Sequence, residues 1–65
     1  MKYTRIKVAR KKLGLTQQEV AVAAGMGLRH YQLVEKGQTI PGVKLAGKIA
    51  KVLHSTVEHL WEIGG

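Results

Sequence analysis

Three observations predict an all-α fold for this 65-residue chain. Apolar residues recur at helical spacing in short segments, no stretch alternates with the period of a strand, and the connections run to only a few residues. The sharpest boundary is LTQQEV, where Thr16 and Glu19 form an S/T-x-x-E capping box just before an apolar run. A compact bundle of five helices follows, with residues 1–65 expected to form one domain.

The first helix is expected from about Thr4 to Leu13, with Ile6, Ala9 and Leu13 on one face and Gly14 ending it. Thr16 opens the second, with Leu15 and Val20 placed as a hydrophobic staple across its cap. Gly25 closes it through a positive φ. A third helix is expected from about Gly27 to Lys36, ended by Gly37. Pro41 makes Ile40 extended in the loop that follows. The fourth, about Val43 to Leu53, turns Ala46, Ile49, Ala50 and Leu53 inward and Lys44, Lys48 and Lys51 outward. Ser55 is read as the cap of a fifth helix holding Val57, Leu60 and Trp61, with Gly64 and Gly65 as a frayed end.

Eleven Lys and Arg against four acidic residues give a net charge of +7, which points to a polyanionic partner. Six of the eleven cations lie in the first twelve residues: Lys2, Arg5, Lys7, Arg10, Lys11 and Lys12. With no cysteine, disulfides and thiolate metal sites are excluded. No apolar run reaches the length of a membrane span and no signal-peptide core is present, so a cytoplasmic protein without a membrane partner is expected.

The second and third helices are joined by about three residues containing glycine, and small Ala21 and Ala24 allow a steep, close crossing. That is a helix-turn-helix arrangement. At about 100° per residue, Tyr31, Val34 and Gly27 cluster on one side of the third helix. Arg29, Gln32, Leu33 and Lys36 face the other way, with Leu28 and His30 on the borders. Arginine can bond guanine bidentately, glutamine can bond adenine, and leucine can meet a thymine methyl.

From Ile6 to Trp61 the sequence resembles the Cro and phage-repressor (Xre) family of helix-turn-helix DNA-binding domains. The resemblance rests on LGLTQQEVA, the turn AGM, YQLVEKG, the loop Pro41 and LAGKIAKVL. It implies a five-helix bundle of phage-repressor type whose third helix enters the major groove. It further implies that Leu28 and Arg29 face base edges, with Gln32 and Leu33 further along the same surface. Gln17 matches a glutamine that touches phosphate and braces the recognition helix. Glu35 matches a glutamate paired with a first-helix arginine, here Arg10, which makes Arg10 structural. Two positions depart from the family pattern. Leu33 stands where a polar residue is common and offers only an apolar contact, and Gly27 replaces a capping Ser or Thr.

Further phosphate contacts are expected from Lys36, Gln38, Thr39 and the backbone at Val43 and Lys44, where a helix N-terminus presents free amides. Lys11 and Lys12 suit either phosphate contact or plain solvation. Val57 and Trp61 suit either core closure or a dimer interface of the kind phage repressors use.

Other chemistries find little support. His30, His54 and His59 are the only imidazoles, and without Cys or Asp nearby they make a poor zinc set. The glutamates are scattered and no phosphate-binding glycine loop occurs, so no catalytic residue, cofactor or small-molecule ligand is assigned. RNA or single-strand binding would want exposed aromatics, and only Tyr3, Tyr31 and Trp61 exist. The expectation is a sequence-specific duplex-DNA regulator, a homodimeric repressor on a near-palindromic operator. The alternatives are an antitoxin-like module that neutralises a partner protein, and a non-specific basic peptide.

Overall fold

The computed structural model describes residues 5–61 and contains α1 (Ile6–Lys12), α2 (Gln17–Ala24), α3 (Leu28–Glu35), α4 (Val43–Val52) and α5 (Val57–Trp61). Thr4, the expected start of the first helix, and the Gly64–Gly65 end lie outside the described residues. No strand occurs among them.

Local chemistry explains most of the boundaries. Both halves of the capping box form: Thr16 Oγ1 accepts from the Glu19 N–H at 3.0 Å, and Glu19 Oε1 accepts from the Thr16 N–H at 2.8 Å. At the other end of α1, Arg10, Lys11 and Lys12 sit in the last turn, where cations favour the helix dipole. Gly27 and Lys36 flank α3 as its caps, so the helix is one residue shorter at each end than the sequence suggests.

Four helices close with the same paired bonds, in which a residue one or two places past the helix and its successor donate back into the last turn. In α2 the Met26 N–H reaches the Ala21 carbonyl at 2.9 Å and the Gly25 N–H reaches Val22 at 3.0 Å. The closing residue must take a positive φ. Gly14, Gly25 and Gly37 do so at 70°, 72° and 80°, but α4 uses His54, at 55°.

The core gathers Ile6, Val20, Ala21, Ala24, Tyr31, Val34, Ile49, Ala50, Leu53 and Leu60. Ala46 is buried beside them, so all four residues assigned to the inner face of α4 point inward. α2 lies at the centre, packed on both α3 and α4, and α5 packs on α4. Ala21 and Ala24 are buried at the helix pair, where larger side chains would force the axes apart.

Two local expectations are corrected. Leu13 is 44% exposed, because it falls beyond the last turn of α1 and the helical period no longer carries it to the core. The buried partner of Ile6 on α1 is Arg10 instead. The cap of α5 is Thr56, whose Oγ1 accepts from the His59 N–H at 3.1 Å. Ser55 is engaged in closing α4, donating its N–H to the Ala50 carbonyl at 2.9 Å.

Candidate nucleic-acid interface

The interface is built on a buried carboxylate. Glu35, at the last turn of α3, is only 5% exposed. Its Oε2 accepts from Arg10 Nε at 2.7 Å and from the Tyr31 hydroxyl at 2.8 Å. Its Oε1 accepts from Gln17 Nε2 at 2.8 Å and from Arg10 Nη2 at 3.3 Å. Arg10 Nη1 also donates to the Leu15 carbonyl at 2.9 Å, which fixes the loop between α1 and α2. One carboxylate thus ties together α1, α2 and α3. Among the described residues no buried side-chain polar atom lacks a partner, the condition under which a buried ionic cluster specifies a geometry rather than weakening the fold.

Electrostatics follow from this arrangement. Burial alone raises the pKa of the Glu35 carboxyl, but the hydrogen bonds from Arg10, Tyr31 and Gln17, with the charge of Arg10, outweigh it and hold the group below its ordinary 4.5. Tyr31 moves the other way: burial first, then its bond to Glu35, pushes the phenol well above 10.0. The hydrogen bond to Glu35 raises Arg10 further, so it stays charged. The pair is a permanent ion pair at neutral pH, and α3 presents no uncompensated carboxylate to its surroundings.

Around this cluster the outward residues take their places. Arg29 and His30 are exposed, and Leu28 is partly so. Leu33 is half-buried at the edge of the surface. Gln32, also half-buried, donates through Nε2 to Gln17 Oε1 at 3.2 Å. Both amides keep spare capacity: Gln17 has a second N–H, and Gln32 has its Oε1 and one N–H. Lys36, Gln38 and Lys44 are exposed, Thr39 is half-buried, and Val43 is almost fully exposed. Gly42 begins α4 without any side-chain cap on the first amides.

A depression of about 640 Å³ is lined by Lys7, Lys11, Gln17 and Lys36, with Arg10 and Glu35 also in its wall. The sequence names Lys7 among the N-terminal cations but assigns it no contact. It stands one helical turn before Lys11, and that spacing is the only signal that could have found it. The Tyr31 hydroxyl was also missed, since periodicity assigns Tyr31 to the core without saying what its oxygen does. The i, i+4 spacing to Glu35 was the available signal. Val57 and Trp61 line an apolar groove of about 380 Å³ with Ile40, Pro41, Val43 and Ala46, which meets this surface at Val43. Among the described residues no cluster of His, Cys, Asp or Glu is arranged to hold a metal, and no helix is long and apolar enough to cross a membrane.

Comparison with known proteins agrees with this geometry. Two proteins of Archaeoglobus fulgidus named as uncharacterized HTH-type transcriptional regulators are each 40% identical over 58 residues, spanning 89% of this chain and 83% and 82% of theirs. One of the same description from Methanothermobacter thermautotrophicus is 40% identical over 60 residues, 92% of this chain and 84% of its own. The helix-turn-helix family model matches residues 6–60. With the capped α2, the glycine turn and the α3 face all inside that span, the chain belongs to the helix-turn-helix family of Cro and phage-repressor type.

Proposed function

We propose that this chain binds duplex DNA sequence-specifically through α3 and acts as a dimeric repressor, occluding promoter DNA at a near-palindromic operator. Family membership makes it a DNA-binding regulator of transcription rather than an enzyme. The observation that carries the finer reading is the neutralised Glu35: α3 turns cationic, amide, imidazole and apolar groups outward and no free carboxylate. Leu28, Arg29, Gln32 and Leu33 are assigned to base edges. Gln32 retains the acceptor and donor that adenine needs while its other N–H is held by Gln17. Gln17, Lys36, Gln38, Thr39 and the amides at Val43 and Lys44 are assigned to phosphates, and Lys7 and Lys11 join them from the α1 flank.

Dimerisation is supported by the apolar groove, where Ile40 is 85% and Val43 92% exposed next to Val57 and Trp61. A two-fold pair seated there reads two half-sites about one DNA turn apart. The test is selection of binding sites from random duplexes, together with the mass of the free and bound protein in solution. Enriched inverted repeats with two chains bound support the reading, and an absence of enrichment overturns it. Arg29→Ala should lose roughly 1–3 kcal/mol at one base position and relax preference there. An equal loss on every sequence would make Arg29 a phosphate contact instead.

A further inference from the structure

Of the four residues assigned to base edges, Leu28, Arg29 and Leu33 carry no hydrogen-bond acceptor in their side chains. Gln32 has an acceptor as well as donors, and which of them stands where depends on how its amide is turned. Turning the amide over exchanges a donor for an acceptor at the same place. That exchange changes which base edge the side chain fits.

The turn is set from inside the protein. Glu35 is ionised at neutral pH, held so by Arg10 Nε at 2.7 Å, and its oxygens can only accept. Gln17 Nε2 donates to Glu35 Oε1 at 2.8 Å. The reverse orientation would set Gln17 Oε1 against a carboxylate oxygen and replace a charge-assisted bond by a repulsion. Gln17 therefore points its Oε1 away from Glu35, and there it accepts from Gln32 Nε2 at 3.2 Å.

Gln32 and Glu35 are three residues apart on one side of α3, and Gln17, the first residue of α2, is bonded to both. An acceptor-only group at one end thus fixes the polarity of two amides in series. Both amides are half-buried, so water competes for these bonds less than it does at exposed Gln18 and Gln38.

We infer that Gln17 is a positioning residue for specificity: through it Glu35 sets the polarity of the Gln32 amide, which offers its oxygen and one N–H to the DNA and selects adenine. The inference rests on α3 reading base edges, as proposed above. A brace that only held α2 against α3 would be indifferent to which way the amides point. The series is directional, and reversing it has a definite consequence. A side chain at position 17 that donates to both neighbours makes Gln32 accept from it and turn its N–H groups outward. Guanine, with acceptors at N7 and O6, is then the better partner.

The test is competition of the full chain between duplexes that differ at one base pair, so that a loss common to all duplexes cancels from the ratio. Gln32→Ala locates the position by abolishing its preference. There Gln17→Met, which keeps the length of the side chain without its polar head, should lower the adenine-to-guanine ratio about fivefold or more. Gln17→Lys, which donates to Glu35 and Gln32 and accepts from neither, should lower it further, towards guanine. In the free protein the Gln32 side-chain amide should exchange with solvent more slowly than those of Gln18 and Gln38, and Gln17→Met should remove the difference. A ratio unchanged by either substitution, with affinity reduced equally on every duplex, overturns the inference and leaves Gln17 a brace and a phosphate contact. An unchanged Gln32 amide in Gln17→Met overturns it without reference to DNA. If Gln32→Ala alters no position, the inference falls while the α3 reading stands on Arg29. A wild-type chain with no preference at any position overturns the α3 reading itself, and this inference with it.

Discussion

The α1–α3 half and the α4–α5 half of this molecule are held by different kinds of force. In the first, Arg10, Gln17, Tyr31 and Glu35 form a buried, fully bonded polar cluster, and each connection turns on a glycine. In the second, Ile49, Ala50, Leu53 and Leu60 pack through non-directional apolar contact, while Gly47 sits inside α4 and His54 takes a left-handed backbone. Directional bonds fix where α3 stands to within a fraction of a hydrogen-bond length, but they tolerate no missing member. Apolar packing fixes position less sharply and tolerates local compromises. The α3 helix therefore stands on the half where substitution is most severely punished.

The contrast breaks most visibly at Glu35. Removing one member of a buried ion pair strands the other, and Glu35→Ala or Arg10→Ala should cost about 3–5 kcal/mol. That is comparable to the whole stability of a domain this small. Urea unfolding measures it, and a double-mutant cycle should return strong coupling between the two positions. A loss below about 1 kcal/mol would place the pair in the class of solvated surface bridges. Tyr31→Phe keeps the ring in the core and removes one bond to the carboxylate, for an expected loss of about 2 kcal/mol.

Acid should separate the halves by a different route. Because the Glu35 pKa is depressed in the folded state, its contribution is present above the ordinary value of 4.5 and is lost as pH falls through the lower folded value. Stability should therefore fall from about pH 4.5 downward, and Glu35→Gln should flatten the slope in that window while lowering stability at neutral pH. An unchanged slope in the variant would assign the acid sensitivity to other groups.

The contrast also explains what could be read from the residues alone. The capping box, the Gly25 turn and the inner face of α4 are local or periodic signals, and they were legible because each is fixed within a few positions. Leu13 was not, because a period says nothing about where the helix stops. Ser55 and Thr56 are both good caps in sequence, and the choice between them depended on how α4 closed. The cations of α1 are one basic run on paper. Only the placement of α2 and α3 on one side and the α4–α5 corner on the other assigns Lys7 and Lys11 to one surface and Arg5 and Lys12 to another. Gln17 drew attention through its family match, yet its bond to Gln32 is a tertiary contact with no local signature.

The smallest effects should be gains, and they should fall in the α4–α5 half. Gly47 lies inside α4 with open space where a Cβ would stand, so Gly47→Ala should stabilise by roughly 0.5–1 kcal/mol through helix propensity alone. His54→Gly should add about 1 kcal/mol by relieving the left-handed backbone. The matching change at the other end of the comparison is Gly25→Ala, which should destabilise by a similar amount because Gly25 already holds a φ of 72°. Thermal unfolding of the three variants under one condition checks the pattern. Two gains and one loss fit a molecule whose local backbone is optimised around the helix pair and left improvable beyond it. A gain at Gly25, or losses at Gly47 and His54, would mean that the two halves differ in their contacts but not in how closely their backbones are tuned.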